Sequence, residues 1–190
     1  MTLPPSAAGP AHQQGFTLVE LMVTLVVAAI MLAYAVPSFS RILMNNSVSS
    51  QTNEMLAGLK LARSEAARRG IPVSIKTQSG INFDQGWRVF TDSDGDGAIP
   101  STVTDNDGTV LRQNGAASTG VAIKRVTTAA GTTDASGAGS DYIVFNARGG
   151  VSATSFIRVC SSTMTSIPGR IIQINVVGKI SVISSTATCS

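Results

Sequence analysis

The chain has 190 residues, of which 13% are charged, and a formal net charge of +3. About 155 residues follow the N-terminal leader and apolar run, enough for one globular domain with its own core. The part from residue 70 onward has nine basic and eight acidic residues, so net charge alone gives no argument for a nucleic-acid-binding protein.

The N-terminal part consists of a polar leader and a long apolar run. Residues 1–15 contain three prolines, no Lys or Arg and no periodicity, which predicts a disordered leader. The run from Phe16 to Val36 has one charge, Glu20, and a helix of this length spans the hydrocarbon core of a bilayer. A secretory signal has its small residue after the apolar core, whereas Gly15 precedes it, so the run would survive cleavage. A carboxylate in such a segment needs a partner.

The helical pattern continues beyond the apolar run. Pro37 removes one helix hydrogen bond and is expected to kink the helix without ending it. Arg68 and Arg69 suit the negative end of the helix dipole, and Gly70 and Pro72 predict the helix end near Arg69. Spacings of three and four predict an amphipathic helix with one buried stripe. The stripe consists of Val48, Thr52, Met55, Leu59, Ala62 and Ala66.

After the helix the apolar period switches to two. Short runs rich in β-branched and aromatic residues predict strands. They are Val73–Thr77, Trp87–Thr91, Val121–Val126, Tyr142–Asn146, Ser155–Cys160, Arg170–Val177 and Lys179–Ser184. Val177-Gly178 is expected to form a tight hairpin turn, and Trp87 is expected to be buried. Outside the strand at 121–126, residues 115–140 are mostly Ala, Gly, Ser and Thr and predict an exposed mobile loop.

Cys160 and Cys189 are the only cysteines, and both follow the predicted membrane segment, in the part expected to reach an oxidising compartment. We therefore predict a disulfide between them; the alternative is two unpaired buried thiols. In the chain-entropy model, closing a loop of about thirty residues stabilises the fold by roughly 3.5 kcal/mol. The bond would also tether the C-terminal strand.

The segment Gly15-Phe16-Thr17-Leu18-Val19-Glu20 resembles the processing site of type IV prepilins and pseudopilins. The resemblance implies that prepilin peptidase, a membrane aspartyl protease, cuts after Gly15 and methylates the new amino terminus at Phe16. It also implies that Glu20 pairs with the terminal amine of a neighbouring subunit, which suits two charges that are each costly to bury alone. The leader departs from the family in having no basic residue. The alternative is a plain anchor in which Glu20 reaches the membrane interface.

Three later segments resemble recurring blocks of the GspH/FimT group of minor pilins and pseudopilins, FimU-like members included. They are Leu61–Ala66, Gly86–Asp92, and Arg170–Ile174 ahead of Gly178-Lys179. The resemblance implies an α+β, pilin-like fold with a helical spine and a β-rich head. It implies a structural function as a minor pilin of a type IV pilus, at the tip or in the priming complex. The alternatives are an H-type pseudopilin of type II secretion and a DNA-binding pilin of natural transformation.

The run from Asp92 to Gly97 fits the first six positions of a calcium loop, with Asp92, Asp94 and Asp96 as candidate ligands. The twelfth position, where a bidentate glutamate belongs, is Val103, although Asp105 and Asp107 follow. The favoured interpretation is a solvated Asp/Gly turn without a metal. Calcium is the alternative, since three carboxylates so close together repel one another without a cation. No other cofactor is expected.

DNA binding in this branch is associated with a Gly-Arg-x-Arg block, where this chain has Gly178-Lys179-Ile180-Ser181. Lysine replaces the first arginine and serine the second, which lowers the counterion-release contribution. Arg170 and Lys179 are the candidate DNA-binding residues, and in this alternative Arg148 and Arg158 join them on one sheet face. The favoured interpretation is that these cations are solvated charges.

This interpretation divides the chain into a leader at 1–15, a transmembrane segment at 16–36, an amphipathic continuation at 37–69 and a β-rich head at 70–190. The precursor would be a single-pass inner-membrane protein with its head in the periplasm, and the processed chain would enter a pilus. Its partners would be other major and minor pilins or pseudopilins, prepilin peptidase and the inner-membrane assembly platform. An enzyme is not expected, since cleavage removes His12, the only histidine, and the sequence has no nucleophile elbow or phosphate loop.

Overall fold

The structure is a computed structural model that describes residues 16–98, 107–131, 133–136, 140–184 and 189. The chain forms two compact units, the first ending at Phe39 and the second beginning at Ser40. The second unit contains the end of the helix and all of the strands, and the candidate binding residues of the head belong to it.

The helix α1 extends from Leu18 to Arg69, and Pro37 lies inside it. It ends at the predicted residue, where Gly70 adopts the left-handed conformation with φ of 68°. All six residues of the predicted stripe are buried, and all of them except Thr52 join the hydrophobic core of the second unit. Gln51 and Gly58, which the apolar pattern does not single out, are buried on the same helix.

Gly58 is buried because the indole ring of Trp87 packs directly on it. A Cβ atom at this position would lie 2.6 Å from Cζ3 of the indole, so only glycine leaves room for the ring. Trp87 is 1% exposed, which confirms the prediction that it belongs to the core. The guanidinium of Arg112 lies 5.4 Å from the ring centroid, within the range of a cation–π contact.

The last turn of α1 contains an arginine clamp on Glu65. Its Oε2 accepts hydrogen bonds from Arg68 Nη2 at 2.5 Å and from Arg69 Nε at 2.8 Å, and Arg68 Nε donates to Oε1 at 3.2 Å. The hydrogen bonds from Arg68 and then Arg69 lower the pKa of Glu65 to about 2. The two arginines also lie at the helix end where cations are favoured.

Two four-stranded antiparallel sheets follow the helix, with strand orders β3-β2-β1-β5 and β4-β6-β7-β8. The strands are β1 (Val73–Thr77), β2 (Trp87–Thr91), β3 (Val110–Asn114), β4 (Val121–Val126), β5 (Tyr142–Phe145), β6 (Ser155–Ser161), β7 (Arg170–Ile174) and β8 (Ile180–Ser184). A short 3₁₀-helix at Phe83–Gln85 precedes β2. One helix followed by antiparallel sheets confirms the predicted α+β class.

The strand predictions are wrong in two larger details, and one bound each of β5, β6 and β8 differs from the prediction by one residue. Strand β3 was not predicted, because it is an edge strand of mostly polar sequence and without the apolar alternation of a half-buried strand. Strand β7 ends at Ile174 instead of Val177. The hairpin turn has Val176 and Val177 at its centre, with Gly178 next at φ of 78° and its N–H bonded to the Asn175 carbonyl at 2.7 Å.

The prediction of an exposed loop is also wrong for part of the segment after β4. Asp134 forms a β-bridge with Val126, and the Ala135 N–H donates to the Arg125 carbonyl at 2.8 Å. Gly131 and Ser140 are buried. The small residues of this segment therefore extend the second sheet, because backbone hydrogen bonds stabilise it without large apolar side chains.

Candidate functional site

The start of α1 is capped by Thr17. Thr17 precedes the helix, and its Oγ1 accepts a hydrogen bond from the Glu20 backbone N–H at 3.2 Å. The carbonyl of Thr17 accepts the first helical hydrogen bond, from the Leu21 N–H, at 3.2 Å. The pattern Thr-x-x-Glu at a helix start is a sequence signal that our predictions did not use. Gly15, the predicted cleavage position, lies outside the described residues.

The described part of the first unit is apolar and exposed. Phe16 is 87% exposed, and the hydropathy of α1 reaches a mean of 2.4 over 18 residues, none of them buried within the chain. By length and composition this helix could cross a membrane. Glu20 is in its first turn, and none of the hydrogen bonds or ion pairs among the described residues involves its carboxylate.

The acidic loop after β2 is a turn stabilised by hydrogen bonds to the carboxylate of Asp92. Asp92 is fully buried, and its Oδ1 accepts the Gly95 N–H at 3.1 Å. Its Oδ2 accepts the Gly97 N–H at 3.0 Å and the hydroxyl of Ser74. Burial raises the pKa of Asp92, and the hydrogen bonds from Ser74 and Gly97 partly oppose this effect. Asp92 therefore stabilises the turn by accepting two local backbone donors and attaches it to β1 through the hydroxyl of Ser74.

The structure places the predicted calcium ligands differently from the sequence pattern. Carboxylate oxygens of Asp92, Asp94 and Asp107 lie within 4.8 Å of one another. Asp96 is not in this group, and its Oδ1 instead accepts the Ala98 N–H at 2.6 Å. Because the carboxylate of Asp92 is already engaged with three donors, the geometry favours the turn interpretation. Calcium binding stays a prediction, and Val103 and Asp105 lie outside the described residues.

Replacing Asp92 by asparagine is expected to destabilise the chain by about 1–3 kcal/mol at neutral pH. An amide has one acceptor oxygen, so its NH₂ group would face either the Gly97 N–H or the Gly95 N–H, and that backbone N–H would lose its side-chain acceptor. Chemical unfolding followed by Trp87 fluorescence measures the effect. Asp94→Asn is the matched control, because Asp94 is exposed; an equal loss of stability in both variants would contradict the prediction.

The structure separates the cations considered for DNA binding. Arg158 is 1% exposed, and its guanidinium donates to the Gly131 carbonyl and to Asp134 Oδ1, the latter at 2.6 Å. The expectation that Arg158 would share an exposed face with the others is therefore wrong. Arg170 begins β7 and Lys179 follows the turn at the opposite end of that strand. Arg148 and Lys179 line a common groove, and neither Arg158 nor Arg170 is among the described residues that line it.

The predicted disulfide between Cys160 and Cys189 is present, with the two Cα atoms 5.7 Å apart. Cys160 is buried in β6, so the bond attaches residue 189 to the second sheet. Its loop of 29 residues includes the β7–β8 hairpin.

Replacing both cysteines by serine is expected to lower the free energy of unfolding by about 2–5 kcal/mol, because the unfolded chain regains the entropy of the open loop. The unfolding midpoint in denaturant measures this loss. Wild-type protein treated with a reductant should show a similar decrease, whereas the double serine variant should not respond to the reductant. Unchanged stability in both cases would contradict the prediction.

Comparisons with known proteins match both parts of the chain. Residues 51–178 match the family described as type II transport protein GspH, and residues 10–36 match the prokaryotic N-terminal methylation motif. A curated fimbrial protein of Pseudomonas aeruginosa is 37% identical over 100 residues, which are 52% of this chain and 64% of that protein. The chain thus spans less than two thirds of the length of this relative.

Solved structures show the same fold. The crystal structure of the type IV minor pilin FimU of Pseudomonas aeruginosa aligns with a TM-score of 0.55 and 20% identity, over 76% of this chain and 93% of that chain. A second crystal form of FimU aligns with a TM-score of 0.52 and 19% identity, over 74% of this chain and 96% of that chain. The pilin-like part of the fold prediction is confirmed.

Proposed function

Because the chain belongs to the GspH family and has an N-terminal methylation motif ahead of the matched region, we propose that it is a minor pilin of a type IV pilus. The observation that carries the proposal is the capped apolar helix with Glu20 in its first turn, preceding a GspH-type head. The relatives named fimbrial protein and type IV minor pilin support the pilus over other filaments. Its function is structural, at the tip or in the complex that primes assembly.

The proposed route begins with an inner-membrane precursor whose head lies in the periplasm. Prepilin peptidase removes residues 1–15 and methylates Phe16, and the chain then leaves the membrane for the filament with the help of the assembly platform. In the filament, the apolar half of α1 is surrounded by the helices of major and minor pilins. This packing covers the large side chains that are exposed in the single chain, among them Phe16 and Leu18.

In this route the carboxylate of Glu20 forms an ion pair with a neighbouring subunit and so determines the position of that subunit. A carboxylate surrounded by apolar helices costs several kcal/mol unless it is paired. The amine of Phe16 on an adjacent subunit is the complementary charge, since each mature chain presents one such amine at the start of its helix. The pair would therefore favour a fixed axial offset between neighbouring subunits.

Replacing Gly15 by valine is expected to abolish cleavage, because a side chain at this position would obstruct the peptidase site. Immunoblots should show only uncut precursor in the membrane fraction and no chain in sheared filaments. Gly9→Val is the matched control, since it makes the same change within the leader and should be processed normally. Normal cleavage of Gly15→Val would show that processing does not depend on Gly15 and would overturn the proposed cleavage site, and no cleavage of the wild-type chain would indicate a plain membrane anchor.

A second candidate is a pseudopilin of a type II secretion system, which the description of the matched family favours. The two functions differ in what is lost when the gene is deleted. Deletion of a minor pilin reduces surface filaments, whereas deletion of a pseudopilin leaves secreted enzymes in the periplasm. Normal filaments together with blocked secretion would therefore replace the pilus assignment by the secretion assignment.

A further inference from the structure

The second unit contains a groove with four exposed cations, which we call the basic groove. It has a volume of about 400 Å³ and lies between the last turns of α1 and two later turns of the chain. Lys60 and Arg63 come from the helix, Arg148 comes from the turn after β5, and Lys179 follows the β7–β8 hairpin turn. Residues far apart in sequence thus supply charges of one sign to one concave surface.

The two turns that form one wall of the basic groove are fixed to each other by backbone contacts. The Val151 N–H donates to the Val176 carbonyl at 3.1 Å. A Cβ atom on Gly150 would lie 2.6 Å from that same carbonyl oxygen. A Cβ atom on Gly178 would collide with the carbonyl oxygen of Gly149. Arg63 lies across this wall, and its Nη2 donates to the Val177 carbonyl at 3.4 Å. The groove is therefore preorganised, which lowers the entropy cost of binding.

The charge of the basic groove is not neutralised within the described part of the chain. None of the ion pairs found there includes Lys60, Arg63, Arg148 or Lys179. Glu65, which follows the groove residue Ser64, is committed to Arg68 and Arg69. Four cations around one concavity repel one another, so an anionic group bound there would relieve this repulsion.

An exposed apolar tip adjoins the basic groove. Val176 and Val177 occupy the two central positions of the hairpin turn and are 52% and 66% exposed. Central turn positions usually hold Asn, Asp, Gly or Ser, which favour turn geometry and are well solvated. Two valines at such positions favour neither the turn nor solubility, and departures of this kind are expected where a surface binds something.

We propose that the basic groove and the Val176–Val177 tip together bind an acidic segment of a partner protein, in which carboxylates lie beside apolar side chains. Cations around an apolar centre are typical of protein interfaces. A nucleic acid is the less suitable partner, because no aromatic side chain lines the groove to stack on a base. This inference uses only the second unit and does not depend on the proposed pilus function.

The test uses the full chain in zwitterionic detergent and three fluorescein-labelled peptides, of alternating Glu and Leu, Glu and Ser, or Lys and Leu. Fluorescence anisotropy should show that the Glu/Leu peptide binds best. Lys60→Glu and Lys179→Glu should each weaken its binding by about tenfold, since each reverses one charge of the groove. Val177→Ser should weaken it several-fold and bring it close to the binding of the Glu/Ser peptide.

Arg170→Glu is the matched control, because it makes the same charge change at the opposite end of β7 and should bind like the wild type. Trp87 fluorescence and the unfolding midpoint verify that each variant is folded. Equal binding by wild type and Lys60→Glu would overturn the proposal, as would binding of the Lys/Leu peptide. A labelled DNA duplex that binds more tightly, with the same sensitivity to both lysine variants, would overturn it in favour of a nucleic acid.

Discussion

Replacing Glu20 by alanine is expected to leave the leader cleaved while reducing the amount of the chain in filaments by about a hundredfold, the effect of leaving one charge of a buried pair without its partner. Helix formation should be unaffected, because Thr17 caps the backbone N–H of residue 20 and not its side chain. Alanine also has a high helix propensity. The defect should therefore arise at assembly and not at processing or folding.

Immunoblots of sheared filaments and of membranes measure this prediction. The expected result is mature-length chain that stays in the membrane fraction. Glu54→Ala is the matched control, since it removes a carboxylate from the same helix beyond the apolar segment, where Glu54 accepts a hydrogen bond from Asn114 at 3.2 Å. Normal incorporation of Glu20→Ala, or an equal defect in Glu54→Ala, would contradict the assembly function of Glu20.

Replacing Gly178 by alanine is expected to destabilise the chain by about 3 kcal/mol or more, through two separate effects. The left-handed conformation at φ of 78° costs a non-glycine residue about 1–2 kcal/mol. The added Cβ would also collide with the backbone of Gly149, which cannot rotate away as a side chain can. The two turns beside the basic groove would have to separate.

Chemical unfolding of the wild type and of Gly178→Ala measures the loss of stability. Gly80→Ala is the control that isolates the effect of the left-handed conformation. Gly80 also has a left-handed φ, of 61°, but no atom lies within 4 Å of the position of its missing Cβ. Gly178→Ala should therefore lose clearly more stability than Gly80→Ala. Equal losses would show that the close approach of the two turns adds nothing.

The sequence predicted those parts of the fold that depend on regular patterns. The buried stripe from Val48 to Ala66 and the helix end at Arg69 follow from apolar spacing and from the local chemistry of Gly70 and Pro72. Strands β1, β2 and β4 have the predicted bounds, because each combines β-branched or aromatic residues with a clear break on either side.

The features that the sequence did not predict depend on contacts between distant residues. Strand β3 is stabilised as an edge of the first sheet, and its sequence alone has little apolar signal. The sequence around Arg158 predicts a solvated cation on a strand. In the fold its guanidinium is buried, because it donates hydrogen bonds to the carbonyl of Gly131 and to the carboxylate of Asp134. Arg148 and Lys179 line one groove because glycines allow their two turns to approach closely. No local sequence pattern in either turn predicts this approach.

The arginine clamp on Glu65 has a consequence for how the basic groove responds to its surroundings. Because its pKa is lowered to about 2, Glu65 keeps its charge near neutral pH. From residue 16 onward the sequence has no histidine, the side chain whose ordinary pKa falls near neutrality. Glu65 therefore adds no pH response beside the groove near neutrality, whereas ionic strength would screen the exposed cations of the groove and weaken what this surface binds.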